Sequence, residues 1–240
     1  MPKTMHETMV GTTMTKQHVL LVGATGLVGQ GVLDVLLRAP EVSAVTVLVR
    51  RPFPAAHDKV RVLQVAEFTG ASLSALDLAG LDACFYCAGP LPVGMSEADY
   101  RDATVGALQH VVEAYAAVNP AGFVAYVSGL GANPRSRLMP LRVKGQAEQM
   151  LASAGIAHAC LRPGVIRPVL AERSPHAWRR IVYVAGAPLL AFGSRFLPSV
   201  FTTTQAIGDC MLCLALKNDD PPRIVENLHI VRTRTSRSAA

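Results

Sequence analysis

An apolar run at residues 18–23, HVLLVG, leads directly into three glycines spaced three residues apart, Gly23, Gly26 and Gly29. Glycine at the first position permits a tight turn, and glycine at the second lets the backbone approach a ligand closely. Glycine at the third lets the following helix pack close to the strand, and that helix presents free backbone N–H groups to an anion. The pattern therefore predicts a strand–turn–helix unit that binds the pyrophosphate of a dinucleotide. The residues assigned to this contact are Gly23, Thr25, Gly26, Leu27, Val28 and Gly29.

The rest of the chain continues to alternate short apolar runs with helical patterns. Further strands are predicted at 43–50, 60–68, 81–89, 122–129, 156–164 and 224–231, and helices at 26–39, about 97–117, 141–154 and about 205–217. The early strands are apolar at nearly every position, which is typical of strands buried on both faces. Strands separated by helices indicate right-handed crossovers. The sequence thus predicts an α/β fold with a doubly wound parallel sheet, the Rossmann architecture.

The predicted domain organisation follows from where this alternation stops. Residues 1–17 lack the apolar core of a signal peptide and are expected to form a flexible extension. The dinucleotide-binding core is predicted over 18–168. Residues 169–231 begin with a segment rich in Pro, Gly and Arg, and are predicted to form a small C-terminal substrate lobe with the last helix and strand of the same domain. Residues 232–240 are expected to be a basic, flexible tail.

The formal charge of +6 is concentrated at the two ends of the chain. The first 17 residues hold two lysines and one glutamate, and the last nine hold three arginines and no acid, which leaves +2 for the body. No recognition-helix pattern accompanies this charge, so specific nucleic-acid binding is not expected. The apolar run 181–194 is too short and too interrupted by Gly and Pro to span a bilayer. The arginines that flank it leave peripheral membrane contact as an alternative to a substrate lobe.

The five cysteines indicate neither a disulfide framework nor a metal site. Cys84 and Cys87 have C-x-x-C spacing, but they lie in an apolar strand-like run, whereas a redox-active pair opens a helix. Buried strand cysteines are therefore expected. No second His/Cys pair at metal-ligand spacing is present in the sequence, so no metal is predicted. A reduced, cytoplasmic protein fits this pattern, as a monomer or a homodimer.

The end of the predicted second strand determines which nicotinamide dinucleotide is expected. An NAD site places Asp or Glu there to bind the ribose 2′-hydroxyl. This chain has Arg50 and Arg51, and no carboxylate between Glu41 and Asp58. A guanidinium binds a 2′-phosphate through two hydrogen bonds and stacks on adenine. We therefore expect NADP(H) rather than NAD(H).

Two further segments at predicted strand ends are assigned to the same cofactor. Glu67 and Phe68 end the third strand and are expected near the adenine edge. Cys87, Ala88 and Gly89 end the fourth strand and are expected to face the adenosine ribose and the pyrophosphate. The carboxyl ends of parallel strands meet at one edge of the sheet, where such ligands bind.

Six segments between residues 18 and 168 resemble one known family in their order and spacing. They are VLLVGATGLVGQGVL, TVLVRRP, CFYCAG, YVSGLGA, LRVKGQAE and CLRPGVIRP. These segments resemble the atypical and extended short-chain dehydrogenase/reductases, most of all the Tat-interacting-protein-like and NmrA-like NAD(P)-binding branch. The resemblance implies a Rossmann fold with a dinucleotide bound across strands one to five. It also implies that the turn Arg162-Pro163-Gly164 closes over the nicotinamide.

The resemblance further implies a catalytic set that this chain carries only in part. In active members a Ser that ends strand five binds the developing oxyanion, and a Tyr-x-x-x-Lys pair transfers a proton and holds the nicotinamide ribose. Ser128 and Lys144 correspond to the Ser and the Lys. The tyrosine position is Pro140, which has no proton to give. Tyr126 lies on the preceding strand and Tyr183 in the predicted substrate lobe, and neither has the motif spacing.

Two functions from different classes follow from these observations. The first is an NADP(H)-dependent oxidoreductase that transfers hydride to a small quinone, flavin or carbonyl acceptor. A quinone or flavin takes its proton from water, so such a reaction tolerates the loss of the tyrosine. The second is a non-catalytic NADP(H)-sensing regulatory or assembly protein, which Pro140 favours.

Overall fold

A computed structural model describes residues 16–54, 56–167, 200–217 and 221–238. The strands are β1 (Gln17–Val22), β2 (Val42–Val49), β3 (Val60–Gln64), β4 (Ala83–Tyr86), β5 (Phe123–Val127), β6 (Ala157–Arg162), β7 (Val165–Arg167), β8 (Phe201–Thr203) and β9 (Ile224–Glu226). The helices are α1 (Leu27–Arg38), α2 (Gly70–Ser74), α3 (Glu97–Arg101), α4 (Ala107–Val118), α5 (Met139–Ser153), α6 (Thr204–Leu216) and α7 (Asn227–Ser238). A π-helical turn over Asp102–Gly106 joins α3 to α4.

The main sheet is parallel throughout and has the order β3-β2-β1-β4-β5-β6-β9. Strand β1 lies between β2 and β4, so the chain winds outwards from β1 in one direction and then in the other. The prediction of a doubly wound parallel sheet is confirmed. In such a sheet, ligands bind at the carboxyl edge where the strand order reverses, which here is between β1 and β4. A separate pair of short parallel strands, β7 and β8, follows β6 in the chain.

Side-chain alternation along each strand divides the core into two layers. On β1, Val19 and Leu21 belong to the first layer, whereas Leu20 and Val22 belong to the second. The first layer packs the sheet against α1 and α6, and the second packs it against α4 and α5. All four of these β1 side chains are fully buried, which explains why the strand shows no polar alternation in the sequence.

The third strand is shorter than the predicted 60–68. It ends at Gln64, and the backbone N–H of Val65 donates one more hydrogen bond to the Val49 carbonyl at 3.0 Å. The chain then leaves the sheet and enters helix α2, which Thr69 caps. Glu67 and Phe68 therefore lie in the segment after the strand rather than at its end.

The last strand was predicted over 224–231, and that prediction is wrong beyond Glu226. Helix α7 begins at Asn227, whose side-chain oxygen accepts a hydrogen bond from the Gly164 N–H at 2.9 Å. Ile230 is fully buried on α7, so the apolar pattern that indicated a strand is one face of a helix. Helix α7 continues to Ser238, so the described part of the predicted flexible tail is helical.

Two predictions about the C-terminal third have different outcomes. The predicted helix near 205–217 is confirmed as α6, and the Thr203 hydroxyl caps it by accepting a hydrogen bond from the Ala206 N–H at 3.1 Å. The segment that would supply most of the predicted substrate lobe, 168–199, lies outside the described residues.

Gly145, on helix α5, has no room for a side chain, so it provides a test of how closely this helix packs against the preceding loop. A Cβ at this position would overlap the backbone of Asn133 and Pro134. Gly145→Ala should lower the free energy of unfolding by about 1–3 kcal/mol, as overpacking does. Gly70→Ala is the matched control, since nothing lies within 4 Å of its added Cβ. Urea unfolding of both variants measures the difference, and equal effects would contradict the close packing of α5.

Candidate functional site

The turn between β1 and α1 requires glycine at two positions. Gly23 has φ +90°, and a Cβ there would lie 2.6 Å from the Ala88 backbone nitrogen. A Cβ on Gly29 would overlap the Gly23 carbonyl oxygen. These close approaches join the turn to the segment after β4 and hold the start of α1 at the carboxyl edge of the sheet.

The N-terminus of α1 is open to an anion. Gly26 is the N-cap residue and supplies no side-chain cap, and the first turn contains no acidic residue. The N–H groups of residues 27–29 have no acceptor within the helix, and the helix dipole favours negative charge beside them. The side chain of Gln30 donates to the Thr25 carbonyl at 3.0 Å, which braces the turn from outside. The geometry suits a phosphate or pyrophosphate.

The two arginines predicted to select the cofactor lie where β2 ends. Arg50 and Arg51 are both exposed. The Arg50 guanidinium carbon lies 5.7 Å from the ring centroid of Phe68, which is a cation–π contact. Glu67, in the same segment as Phe68, is exposed. Arg50 and Phe68 thus lie together on the β2 side of the glycine turn.

The segment after β4 lies between the glycine turn and helix α5. The Cys87 N–H donates to the Val22 carbonyl at 2.9 Å, so the segment begins alongside the end of β1. A Cβ on Gly89 would lie 3.6 Å from the Lys144 ammonium nitrogen. The structure therefore brings the predicted residues Cys87, Ala88 and Gly89 into contact with both the turn and the lysine.

Ser128, directly after β5, and Lys144, on α5, lie at the same carboxyl edge of the sheet. The Lys144 Nζ donates to the Tyr126 hydroxyl at 3.0 Å and to the Val127 carbonyl at 3.1 Å. Ser128 is 6% exposed, and its hydroxyl oxygen has no hydrogen-bond partner within the described part of the chain. A buried hydroxyl without a partner is unusual in a folded protein and marks a place for a ligand or a water molecule.

Burial lowers the pKa of Lys144 to about 8. The neighbouring groups Glu148, Cys87 and Cys160 oppose this shift. The ammonium is therefore largely charged at neutral pH and loses its charge just above it. A lysine poised in this way can attract an anionic or hydroxyl-bearing ligand at physiological pH.

Arg162 was assigned to the cofactor, but its guanidinium is held by two carboxylates. Its Nε and Nη2 donate to Glu148 at 3.0 and 2.6 Å, and its Nη1 donates to Glu226 at 3.0 Å. The hydrogen bonds with Glu148 contribute most to raising the pKa of Arg162. Arg162 and Glu226 are register partners on β6 and β9, so this cluster ties α5 to the last two strands of the sheet.

The remaining residues of this turn make backbone contacts. The Pro163 carbonyl accepts from the Leu130 N–H at 3.0 Å, and the Gly164 N–H donates to Asn227. A Cβ on Gly164 would overlap the Val200 carbonyl oxygen. A contact of this turn with the nicotinamide stays a prediction, and it would fall to the backbone because the Arg162 side chain is engaged elsewhere.

Pro140 lies in the first turn of α5, one turn before Lys144. Proline suits this position because the first-turn N–H has no partner within the helix. The tyrosine hydroxyl that meets Lys144 comes instead from Tyr126 on β5. Motif spacing missed this residue, as it missed Glu148. The alternation of side chains along β5 could have indicated Tyr126, because Tyr126 and Ser128 are two residues apart and therefore point to the same face of the sheet.

The C-x-x-C pair does not form a redox site. Cys84 is buried in the second core layer, whereas Cys87 follows the strand and packs against the first. An odd spacing along an extended chain places the two thiols on opposite faces of the sheet. Both cysteines are free, and the expectation of a buried strand cysteine is confirmed for Cys84.

The described ranges 16–54, 56–167, 200–217 and 221–238 contain neither a metal-binding cluster nor a helix that could span a membrane. No group of three or more His, Cys, Asp or Glu side chains within them is arranged to hold a metal ion. No helix within them combines the length and apolarity needed to cross a bilayer.

A cavity of about 560 Å³ lies at the opposite, amino edge of the sheet. Its polar lining includes Gln17, Asp82, Asn119 and Lys217. Asn119 is occupied by hydrogen bonds to the backbone of Leu78 and Leu81. Because parallel sheets of this type bind ligands at the carboxyl edge, we assign the functional site to the glycine turn rather than to this cavity.

No protein-family model matches the chain. The leucinostatins biosynthesis cluster protein T of Purpureocillium lilacinum is 30% identical over 137 residues. This match covers 56% of the present chain and 51% of the relative, so the chain spans about half the length of that protein.

Solved structures with the same fold are short-chain dehydrogenases and related reductases. A short-chain dehydrogenase from Burkholderia cenocepacia J2315, in complex with NADP, has a TM-score of 0.61 at 15% identity and covers 95% of this chain and 94% of its own. The NAD+ complex of the Bordetella bronchiseptica enzyme WbmF has a TM-score of 0.62 at 14% identity, covering 91% and 77%. An NADPH-dependent quinone oxidoreductase from Escherichia coli, complexed with NADPH, has a TM-score of 0.60 at 22% identity, covering 87% and 68%. The chain therefore shares the Rossmann fold of these structures.

The Arg162 cluster generates a stability prediction. Arg162→Met would leave the Glu148 carboxylate, which is 7% exposed, without its bidentate partner. Removing one partner of a buried ion pair typically costs about 3–5 kcal/mol. Arg142→Met is the matched control, because Arg142 makes the same bidentate contact with Glu97 at the surface, at 2.9 and 2.6 Å. Denaturant unfolding should show a clearly larger loss for Arg162→Met, and the reverse order would refute the anchoring role of the cluster.

Proposed function

We propose that this chain is an NADP(H)-binding oxidoreductase that transfers hydride to a small quinone, flavin or carbonyl acceptor. One juxtaposition carries the proposal. The segment after β4 contacts the glycine turn through Ala88 and the Lys144 ammonium through Gly89. An anion-binding helix terminus, a charged lysine and an unpartnered Ser128 hydroxyl therefore share one edge of the sheet.

The residues present fit a dinucleotide along this edge. The pyrophosphate would bind the free N–H groups at the start of α1, where the glycines leave room for it. The adenine would lie near Phe68, and Arg50 and Arg51 would bind a 2′-phosphate. Lys144 would donate to the hydroxyls of the nicotinamide ribose. The contact with the pyrophosphate would be common to NAD(H) and NADP(H), whereas the two arginines favour NADP(H).

When bound, the cofactor would supply the hydride, and the protein would orient the acceptor and stabilise its charge. Ser128 would donate a hydrogen bond to the oxygen of the acceptor that becomes negative. The positive charge of Lys144 would stabilise the same oxygen at longer range. Pro140 offers no proton, so the acceptor would take its proton from water. This requirement favours quinones and flavins over unactivated ketones.

A second function, a non-catalytic NADP(H) sensor, is supported by the same Pro140. In that case the dinucleotide would bind the same edge, and no acceptor would be reduced. The two functions differ in turnover and agree on binding. The structural relatives include proteins described with NADP, NADPH and NAD+, which supports dinucleotide binding in either case.

The first prediction from this proposal concerns turnover. Purified protein should oxidise NADPH in the presence of quinones or flavins, and Ser128→Ala should lower kcat by about 100-fold while NADPH affinity stays within about twofold. Absorbance at the NADPH band measures the rate, and fluorescence titration measures the affinity. Binding without turnover across quinones, flavins and reactive carbonyls would favour the sensor. Absence of NADPH binding would overturn both functions.

The second prediction concerns the choice of cofactor. Replacing Arg50 and Arg51 with glutamate should weaken NADPH binding by about tenfold or more, because two guanidinium contacts to the 2′-phosphate are lost. NADH binding should change little or improve. Arg38→Glu is the control, since this exposed arginine lies in the last turn of α1, at the end of the helix away from the glycine turn. Equal losses for NADPH and NADH in the double variant would contradict the assignment of the arginines.

A further inference from the structure

We infer that Tyr126, on strand β5, positions the Lys144 ammonium in a chain that has Pro140 where the resembled motif has its tyrosine. The inference rests on the proposed dinucleotide function. It names a positioning residue that neither the motif spacing nor the comparisons identify.

The register of two elements brings the pair together. On β5, Val124 and Tyr126 point into the second core layer, and on α5 Ala147 and Leu151 pack into the same layer. Lys144 lies one turn before Ala147 on this face of α5, so its stem runs along the surface that covers β5. The contact between Tyr126 and Lys144 thus extends the packing of α5 on β5 to the carboxyl edge of the sheet.

Two of the three ammonium hydrogens of Lys144 are committed to strand β5. One is donated to the Tyr126 hydroxyl and the other to the Val127 carbonyl. The Nζ also lies 4.9 Å from the centroid of the Tyr126 ring. An ammonium has three donors, so one remains for a ligand. The direction of that donor is fixed by the other two, and a Cβ on Gly89 would lie 3.6 Å from the nitrogen.

Tyr126 is not placed to act on a substrate itself. Its side chain has no exposed surface, and its ring packs against that of Tyr86 with centroids 6.0 Å apart. Burial raises the pKa of Tyr126 well above its ordinary range, so its hydroxyl stays neutral. A neutral, buried hydroxyl can accept a hydrogen bond from Lys144 and hold it, but it cannot deliver a proton to the ligand edge.

The other titratable groups facing Lys144 do not hold it in this way. Glu148 lies one turn after Lys144 on α5, and its carboxylate accepts two hydrogen bonds from Arg162, one on each oxygen. Cys87, after β4, and Cys160, on β6, influence the lysine through space. The Tyr126 hydroxyl is therefore the side-chain acceptor that stabilises the charged ammonium, together with the Val127 carbonyl. Loss of that acceptor would favour the neutral amine.

The experiment compares Tyr126→Phe with Tyr115→Phe. Tyr115 is equally buried and donates its hydroxyl hydrogen to the Leu81 carbonyl at 3.0 Å, at the amino edge of the sheet. The first readout needs no cofactor. It is the pH dependence of Lys144 acetylation, followed by mass spectrometry from pH 6 to 10. In Tyr126→Phe the acetylation curve should move to lower pH, whereas in Tyr115→Phe it should coincide with wild type.

The second readout is NADPH affinity at pH 7. Tyr126→Phe should weaken binding by about tenfold, as the loss of a charge-assisted hydrogen bond does. Tyr115→Phe should leave it unchanged. In a double-mutant cycle, Tyr126→Phe should add nothing once Lys144→Met is present, because the hydroxyl acts through the lysine. Additive losses would overturn the proposal, since they would show that Tyr126 acts by a separate route.

The two readouts separate this inference from the proposed function. An unchanged acetylation curve in Tyr126→Phe overturns the positioning role whether or not NADPH binds. Failure of wild type to bind NADPH overturns the proposed function. The acetylation comparison then still decides whether Tyr126 positions Lys144. If Tyr126→Phe does not fold, 3-fluorotyrosine at position 126 keeps the ring and weakens the acceptor. It should shift the acetylation curve in the same direction by a smaller amount, and no shift would count against the proposal.

Discussion

Close backbone approach at the carboxyl edge of the parallel sheet is the constraint on which the rest of the site depends. The turn after β1 fits against the segment after β4 only because Gly23 has no side chain. The start of α1, which follows this turn, has no side-chain cap because its N-cap residue is Gly26. The same segment after β4 places Gly89 beside the Lys144 ammonium. Packing thereby places an uncapped helix N-terminus and the Lys144 ammonium at one edge of the sheet.

The charges near this edge are divided between structure and ligand. Arg162 binds Glu148 and Glu226 and so holds α5 against β6 and β9. The Lys144 ammonium donates to neutral acceptors on β5, and Glu148 acts on it only through space. Burial lowers the pKa of Lys144 to about 8, so the ammonium held by these neutral groups is largely charged at neutral pH and can still attract a ligand. This arrangement fits a residue that binds a ribose more than one that anchors a helix.

The sequence allowed the sheet, its parallel direction and the glycine turn to be predicted, because uninterrupted apolar strands and glycine spacing report burial and close approach directly. It misled at residues 227–231, where a buried helical face, including Ile230, resembles a strand over so short a window. It could not give the partners of Arg162, because Glu226 depends on the register between β6 and β9, and Glu148 depends on how α5 packs beside β6. Tyr126 does not have the motif spacing, which places the tyrosine four residues before the lysine, whereas the fold brings Tyr126 to Lys144 from a neighbouring strand.

The central claim, that the carboxyl edge beside the glycine turn holds a dinucleotide, is tested most directly by amide hydrogen exchange of the wild-type chain with and without saturating NADPH. The account predicts slower exchange in peptides that cover residues 23–29 and 87–89, with little change around the cavity at Asp82 and Asn119. Protection confined to the amino-edge cavity, or no protection at either edge, would contradict it.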